Sequence, residues 1–179
     1  MQEFFILYDV VSGEELMRGS GPTGTARLQP LHASRGVVVI SADDYAAQTP
    51  VDALPVEGLR DSLWEFTKII RSQMLVRGAL TDWGVVDSDA NSILNLQMKA
   101  GAAMWLQHEG DAGPMHFTMH DNSVVELSPG DVLKLAGQAM GYLDGIHEYA
   151  RGLRISLDAA QTAPEALAVD VFRGWPAVQ

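Results

Sequence analysis

Ser128-Pro129-Gly130-Asp131 is the sharpest boundary in the chain, and it constrains everything that follows it. A serine at the N-cap can accept from the first helical turn, and proline has its φ preset for the first helical position. The acid three residues beyond the serine answers the cap. Val132, Leu135, Ala136, Ala139, Leu143, Ile146, Leu153 and Leu157 then recur at helical spacing. The pattern predicts one helix to about Ala160, roughly 45 Å long if unbroken. Gly137, Gly141, Gly145 and Gly152 each weaken such a helix by roughly 1 kcal/mol against alanine. The first three fall on one ridge and predict the close approach of a neighbouring helix; a bend or break is the alternative.

Upstream, "FFILYDVVSGEELMRGS" predicts a hairpin, with one strand over about 3–10, a turn at Ser12-Gly13 and a return over about 14–18. "GVVVI" (36–40) predicts a further strand. In "SADDYAAQTPVDALP" (41–55) small and acidic residues with Pro50 and Pro55 read as a linker, placed at 46–55. Val56, Leu59, Leu63, Phe66 and Ile70 then recur at alternating three- and four-residue steps, the apolar seam of an amphipathic helix over 56–76. Two hairpins follow: one over 77–89 around Asp82-Trp83-Gly84, the other over 115–127 around Asp121-Asn122. Between them Ser88 or Asp89 caps a helix that buries Ile93, Leu96, Ala100 and Ala103 or Met104. A short helix starts near Pro164 and stops before Gly174.

The fold class is therefore α+β: a small N-terminal β module (1–45), the linker (46–55), the amphipathic helix (56–76) and a helical domain with two β-hairpins (77–179). From residue 56 onward the order is helix–hairpin–helix–hairpin–helix.

"GSGPTG" (19–24) matches the dinucleotide fingerprint G-x-G-x-x-G letter for letter. That fingerprint needs a long helix whose N-terminus receives the pyrophosphate. Only Thr23 to Leu31 could supply one, Pro30 ends it, and Pro22 removes a backbone donor. The motif is a decoy, and a Gly-rich loop between strands is expected.

Other chemistry is equally thin. A net charge of −11 and twelve scattered Lys and Arg predict no nucleic-acid partner. The absence of cysteine excludes disulfides, zinc–thiolate sites and thiol catalysis. No apolar run is long enough for a membrane span, and no basic segment precedes the first apolar run, so no signal peptide is expected. His116 and His120 have helical metal-ligand spacing, but in a strand four residues span about 13 Å, too far for one zinc. His108-Glu109 begins like H-E-x-x-H, but Ala112 stands where the second histidine belongs. No nucleophile motif accompanies any histidine, and His147 is expected to serve helix packing. Asp43-Asp44 fits no calcium loop, and Asp87-Ser88-Asp89 is explained by helix capping. Trp83, Trp105 and Trp175 are candidate partner anchors, though large aromatics more often belong to a core. No catalytic residue, cofactor or metal is expected.

From Arg77 onward the chain resembles a domain of unknown function found near the C-termini of phage tail and tail-fibre-associated proteins. "GALTDWGVVDSDANS" and "FTMHDNSVVELSPGDVLKLAGQAMGYLDGIHEYARGLRISLDAAQT" carry the resemblance. The matching positions are Trp83-Gly84 in a hairpin, Asp87 and Asp89 at a cap, and Asp121, Asn122, Val125 and Leu127 in a second hairpin. Asp158-Ala159 matches the end of a long Ala-rich helix. Residues 1–50 look like the small β module that often precedes that domain. Val85-Val86 departs from it where an aromatic is common, as does Met115 or Phe117 near the usual Trp.

The resemblance implies a non-enzymatic protein of tail-fibre attachment or assembly, a virion component or a fibre chaperone. It would sit in the virion tail, or in the host cytoplasm during assembly. Tail-fibre or baseplate proteins and further copies of the chain would be its partners. Val56, Leu59, Leu63, Phe66 and Ile70 are the expected association seam, so Leu63→Asp would abolish association and leave the head folded. The rival expectations are a tail-associated hydrolase acting on host surface polysaccharide, with convergent acids in a cleft, and a small-molecule-binding module built on "GSGPTG".

Overall fold

The computed structural model describes residues 1–111 and 113–176; Ala112 and the last three residues of the 77–179 span lie outside the described residues. In chain order the elements are β1 (Gln2–Asp9), β2 (Glu15–Pro22), β3 (Arg35–Ile40), α1 (Ala42–Ala46) and α2 (Val56–Leu75). After them come β4 (Ala79–Thr81), β5 (Gly84–Val86), α3 (Ala90–Glu109), β6 (Met115–Thr118), β7 (Val124–Leu127), α4 (Pro129–Ala159) and α5 (Ala163–Leu167). Single 3-10 turns occupy Thr25–Leu28 and Val51–Ala53. The protein is mixed α and β, with small antiparallel sheets and a larger helical part.

β1 is the central strand of the first sheet, in the order β2-β1-β3, with both neighbours antiparallel. Its apolar run Phe5-Ile6-Leu7-Tyr8 is buried on both faces, as a continuous hydrophobic strand requires. The turn into β2 is held by Asp9, whose Oδ1 accepts from the backbone N–H of Val11 at 2.9 Å and Ser12 at 2.8 Å.

Chain contacts divide the molecule into two units. One comprises Met1–Ile70 and Ala150–Gly174; the other comprises Arg71–Tyr149 with the chain from Trp175 onward. Both divisions fall inside helices, α2 and α4, and not at residues 46–55. That segment is not a free linker. Ser41 caps α1 by accepting from Asp44 N–H at 3.0 Å, and Val51 and Leu54 are buried.

The first unit's interior takes up the seam of α2. Leu59, Leu63 and Phe66 are buried, Phe66 meets Phe172 at 5.6 Å between ring centroids, and Val56 and Ile70 are half-buried. The expected association seam is therefore core. It is apolar because it is covered within the chain, and an aspartate at position 63, 0% exposed, would bury a charge.

The second unit packs Leu96 and Ala103 of α3 with Val132, Leu135, Ala136 and Ala139 of α4 and with Ala79, Val86, Met119 and Leu127 of its two hairpins. The predicted start of α4 is present as a reciprocal cap. Ser128 Oγ donates to Asp131 Oδ2 at 2.6 Å, and Asp131 N–H donates back to Ser128 Oγ at 3.2 Å. The glycine ridge behaves otherwise than expected. A Cβ built on Gly137 or Gly141 meets nothing within 4 Å, and one on Gly145 meets only Pro176, at 3.9 Å. Among the described residues no helix approaches them, and α4 runs as one continuous 31-residue helix through all four glycines.

Two consequences are measurable in denaturant. Leu63→Ala should cost about 2–5 kcal/mol, the range for emptying a buried leucine site. Gly137→Ala and Gly141→Ala should each stabilise the protein by about 0.5–1 kcal/mol through helix propensity alone; a loss of stability at either would mean that the ridge is covered.

Candidate functional site

"GSGPTG" (19–24), expected as a loop between strands, is instead the end of β2 and the lead into a 3-10 turn. Gly19 and Gly21 lie in β2, and both are required by close contacts: an added Cβ would stand 2.6 Å from the Phe5 ring at Gly19 and 2.5 Å from Thr25 Oγ1 at Gly21. Only the four-residue 3-10 turn follows. The backbone donors that would face a phosphate are already engaged, since Glu3 Oε2 accepts from Gly24 N–H at 3.1 Å and Ala26 N–H at 2.8 Å. A carboxylate occupies the anion position, and the loop is structural.

The histidines are parted by the second hairpin. His116, on β6, stands 3.8 Å from Glu126 on β7, whereas His120, in the turn, places Nδ1 2.5 Å from Asp87 Oδ1. Both pairs are largely exposed. Among the described residues no cluster of three or more His, Cys, Asp or Glu is placed to hold a metal ion.

The acids are used locally. Asp89 is the N-cap of α3, accepting from Asn91 N–H at 3.0 Å and Ser92 N–H at 3.2 Å. The Ser92 hydroxyl and these amides hold its carboxyl below the usual carboxylate range. Asp82 pairs with Lys134, whose ammonium holds its carboxyl low and also lies 5.5 Å from the centroid of the Trp83 ring. The Ser123 hydroxyl and amide hold Asp121 low in the turn where Asn122 takes a φ of 64°. A cleft of about 440 Å³ beside α3 is lined by Asp87, Ser92, Asn95, Met98, Lys99 and Phe117 among others. Asp87 is the one acid in that lining, and it already pairs with His120.

What α3 exposes is more unusual. Its ends are fixed by the Asp89 cap and by a Schellman motif, in which Gly110 N–H meets Gln107 O and Asp111 N–H meets Leu106 O. Leu96 and Ala103 face the core, with Ile93 and Ala100 beside them. At three- and four-residue steps on the opposite side lie Leu94, Met98, Gly101 and Trp105. Leu94, Met98 and Trp105 are 55%, 66% and 65% exposed, and the neighbouring Met104 is 62% exposed. Apolar residues on both sides of one helix mean a second neighbour or an uncovered face. The lone lysine of the helix is drawn away from that face: Lys99 donates to the His116 carbonyl and lies 5.4 Å from the Phe117 ring centroid.

Of the three candidate anchors, Trp83 packs against the core and Trp175 is 9% exposed against Tyr149. Trp105 alone among them stands open. The sequence signal for this face was present in the 94, 98, 101, 105 spacing, but the stripe on the far side of the helix, which does go inside, draws the eye first.

The architecture and this face define a class: an α+β protein in which small antiparallel sheets are followed by helices, one of them apolar on its solvent side. The chain belongs to the family described as Domain of unknown function (DUF4376), whose model matches residues 58–171. No curated protein and no solved structure matches it. Among the described residues no helix is long and apolar enough to cross a membrane.

The cap and the Asp82 pair give a pH signature. Their carboxyl pKa values are lower in the folded state than in the unfolded chain. They therefore stabilise the fold above the unfolded carboxylate range, and that contribution is lost as pH falls through the folded values. In melting curves taken from neutral pH downward, an Asp82→Asn, Asp89→Asn double variant should show a shallower acid limb than wild type. An unchanged limb would remove these two acids from the account.

Proposed function

We propose that the chain is a non-enzymatic bacteriophage tail protein that acts in tail-fibre attachment or assembly through helix-mediated protein contacts. The sequence resemblance over Arg77 onward suggests the setting. The observation that carries the mode of action is the uncovered apolar face of α3, with Trp105 at 65% exposure. Large aromatics on a solvent-facing stripe are typical anchors of protein–protein contacts. In this reading the alternation of helix and hairpin over 56–159 is a scaffold: capped helix ends and short hairpins hold α3 still, so its outer side is presented as a preformed surface.

The partners in this reading are tail-fibre or baseplate proteins and further copies of the chain. Catalysis forms no part of it: Asp82, Asp87, Asp89, Asp121 and Asp131 serve caps, turns and pairwise contacts. The chain would act in the virion tail or in the host cytoplasm while tails are built.

Antibody against the purified chain, applied to particles and to tail intermediates from cells carrying its gene, tests the proposal. The chain should be found in finished tails or in fibre-containing intermediates. Its absence from both, or release of reducing sugar ends when the pure protein meets host surface polysaccharide, would overturn it.

A further inference from the structure

We propose that the outer face of α3 is a self-association surface on which a second copy of the chain docks antiparallel, about a two-fold axis lying between Met98 and Gly101. The inference rests on the reading of that face as a contact surface, and it adds the occupant.

The first argument is self-complementarity. A two-fold interface pairs residue i with j and j with i. Leu94, Met98, Gly101 and Trp105 follow the alternating four-, three- and four-residue spacing of a helix–helix seam. In antiparallel register about that axis, Met98 of each copy faces Gly101 of the other, and Leu94 of each faces Trp105. Both pairings set a larger side chain against a smaller one. Gly101 has nothing within 4 Å of an added Cβ, so it leaves open the hollow that the facing Met98 would fill. The polar ends match in the same register, Asn91 facing His108.

The second argument is charge. The chain carries a net −11, so two copies repel over most of their surfaces. From Ala90 to His108 there is no aspartate or glutamate, although the chain holds 23 of them in 179 residues. The one formal charge in that stretch, Lys99, is turned onto the hairpin. Acids stand only at the ends of this helix, at Asp89 and Glu109, so in the antiparallel register like charges meet at the rim, where Glu109 of one copy faces Ala90 of the other, and not along the seam.

The third is area. Leu94, Met98 and Trp105 are between 55% and 66% exposed. Side chains of their size offer roughly 350 Å² per copy on that side, about 700 Å² for a pair. The flanking Gln97, Ala102, Asn91 and His108 bring the total past the roughly 1,000 Å² that marks a specific interface, at its weaker end.

The test uses the full chain alone, so it stands apart from whether the protein occurs in phage tails. Sedimentation over a range of concentrations should give a monomer–dimer equilibrium that tightens as salt rises, because the contact is apolar between like-charged molecules. Gly101→Asp, at a position with free space, should keep the helical circular dichroism and weaken the dimer at least about tenfold. Met98→Glu should do the same. Since the chain has no cysteine, Asn91→Cys and His108→Cys each carry a single thiol. Under mild oxidation a mixture of the two should give the mixed disulfide, and Asn91→Cys alone should not cross-link. A chain that stays monomeric, a dimer indifferent to Gly101→Asp and Met98→Glu, or cross-linking of Asn91→Cys to itself would each overturn the proposal, and none of these would bear on whether the protein is found in particles.

Discussion

Helix α4 runs for 31 residues from a start at which Ser128 and Asp131 hold each other, and its apolar side chains serve two separate interiors. Val132, Leu135, Ala136 and Ala139 belong to the core of the second unit; Ala150, Leu153 and Leu157 are buried residues of the first. A helix with four interior glycines has poor intrinsic propensity, and its persistence rests on this burial together with a well-made start. If the start were lost, the register in which those positions face inward would lose its fixed reference. The interior of the second unit rests on that register, and α3 is mounted on that interior.

Local chemistry was legible in the residues and distant chemistry was not. The Ser128 cap, the cap at Ser88 or Asp89, the first turn at Ser12-Gly13 and the turn at Asp121-Asn122 are written in stretches of a few residues, where a side chain meets backbone close by in the chain. These could be read without knowing the fold. The candidate surface failed on a different kind of information. Periodicity says which side of α2 is apolar, but not whether the rest of the chain covers it, and here Leu59, Leu63 and Phe66 go inside. The same gap misplaced the glycines of α4: a four-residue spacing allows a close helical neighbour, and none stands there among the described residues. In α3 the strong inner stripe concealed a second one whose members stay outside.

The acidity of the chain has a structural reading that bears on catalysis. Asp9, Asp89 and Asp121 each bind hydrogen-bond donors within a few residues of themselves, and hydrogen bonding holds their carboxyls below the usual carboxylate range. A carboxylate that accepts from amides and hydroxyls is stabilised in its charged form and is a poor proton donor or acceptor near neutrality. Hydrolysis by paired acids needs the reverse, one carboxyl kept protonated opposite another across a shared space. The arrangement suits building turns and capping helices, in a chain whose net charge remains −11.

That last property gives the outer side of α3 its weight. In a protein with an acid roughly every eighth residue, a 20-residue helix whose one acid is its last residue is a strong departure, and exposing tryptophan and methionine there invites non-specific association. The net charge of −11 opposes such association in general, and least along α3, whose acids stand only at its ends. Repulsion over the rest of the molecule and attraction at one stripe together favour a single geometry of contact, which is how a weak apolar patch becomes selective. Gly101 sharpens the geometry further: it leaves a recess in a row of larger side chains, and a recess accepts a knob only in certain registers. The uncovered face and the acidic remainder are thus two parts of one arrangement, in which charge decides where contact is refused and shape decides how it is made.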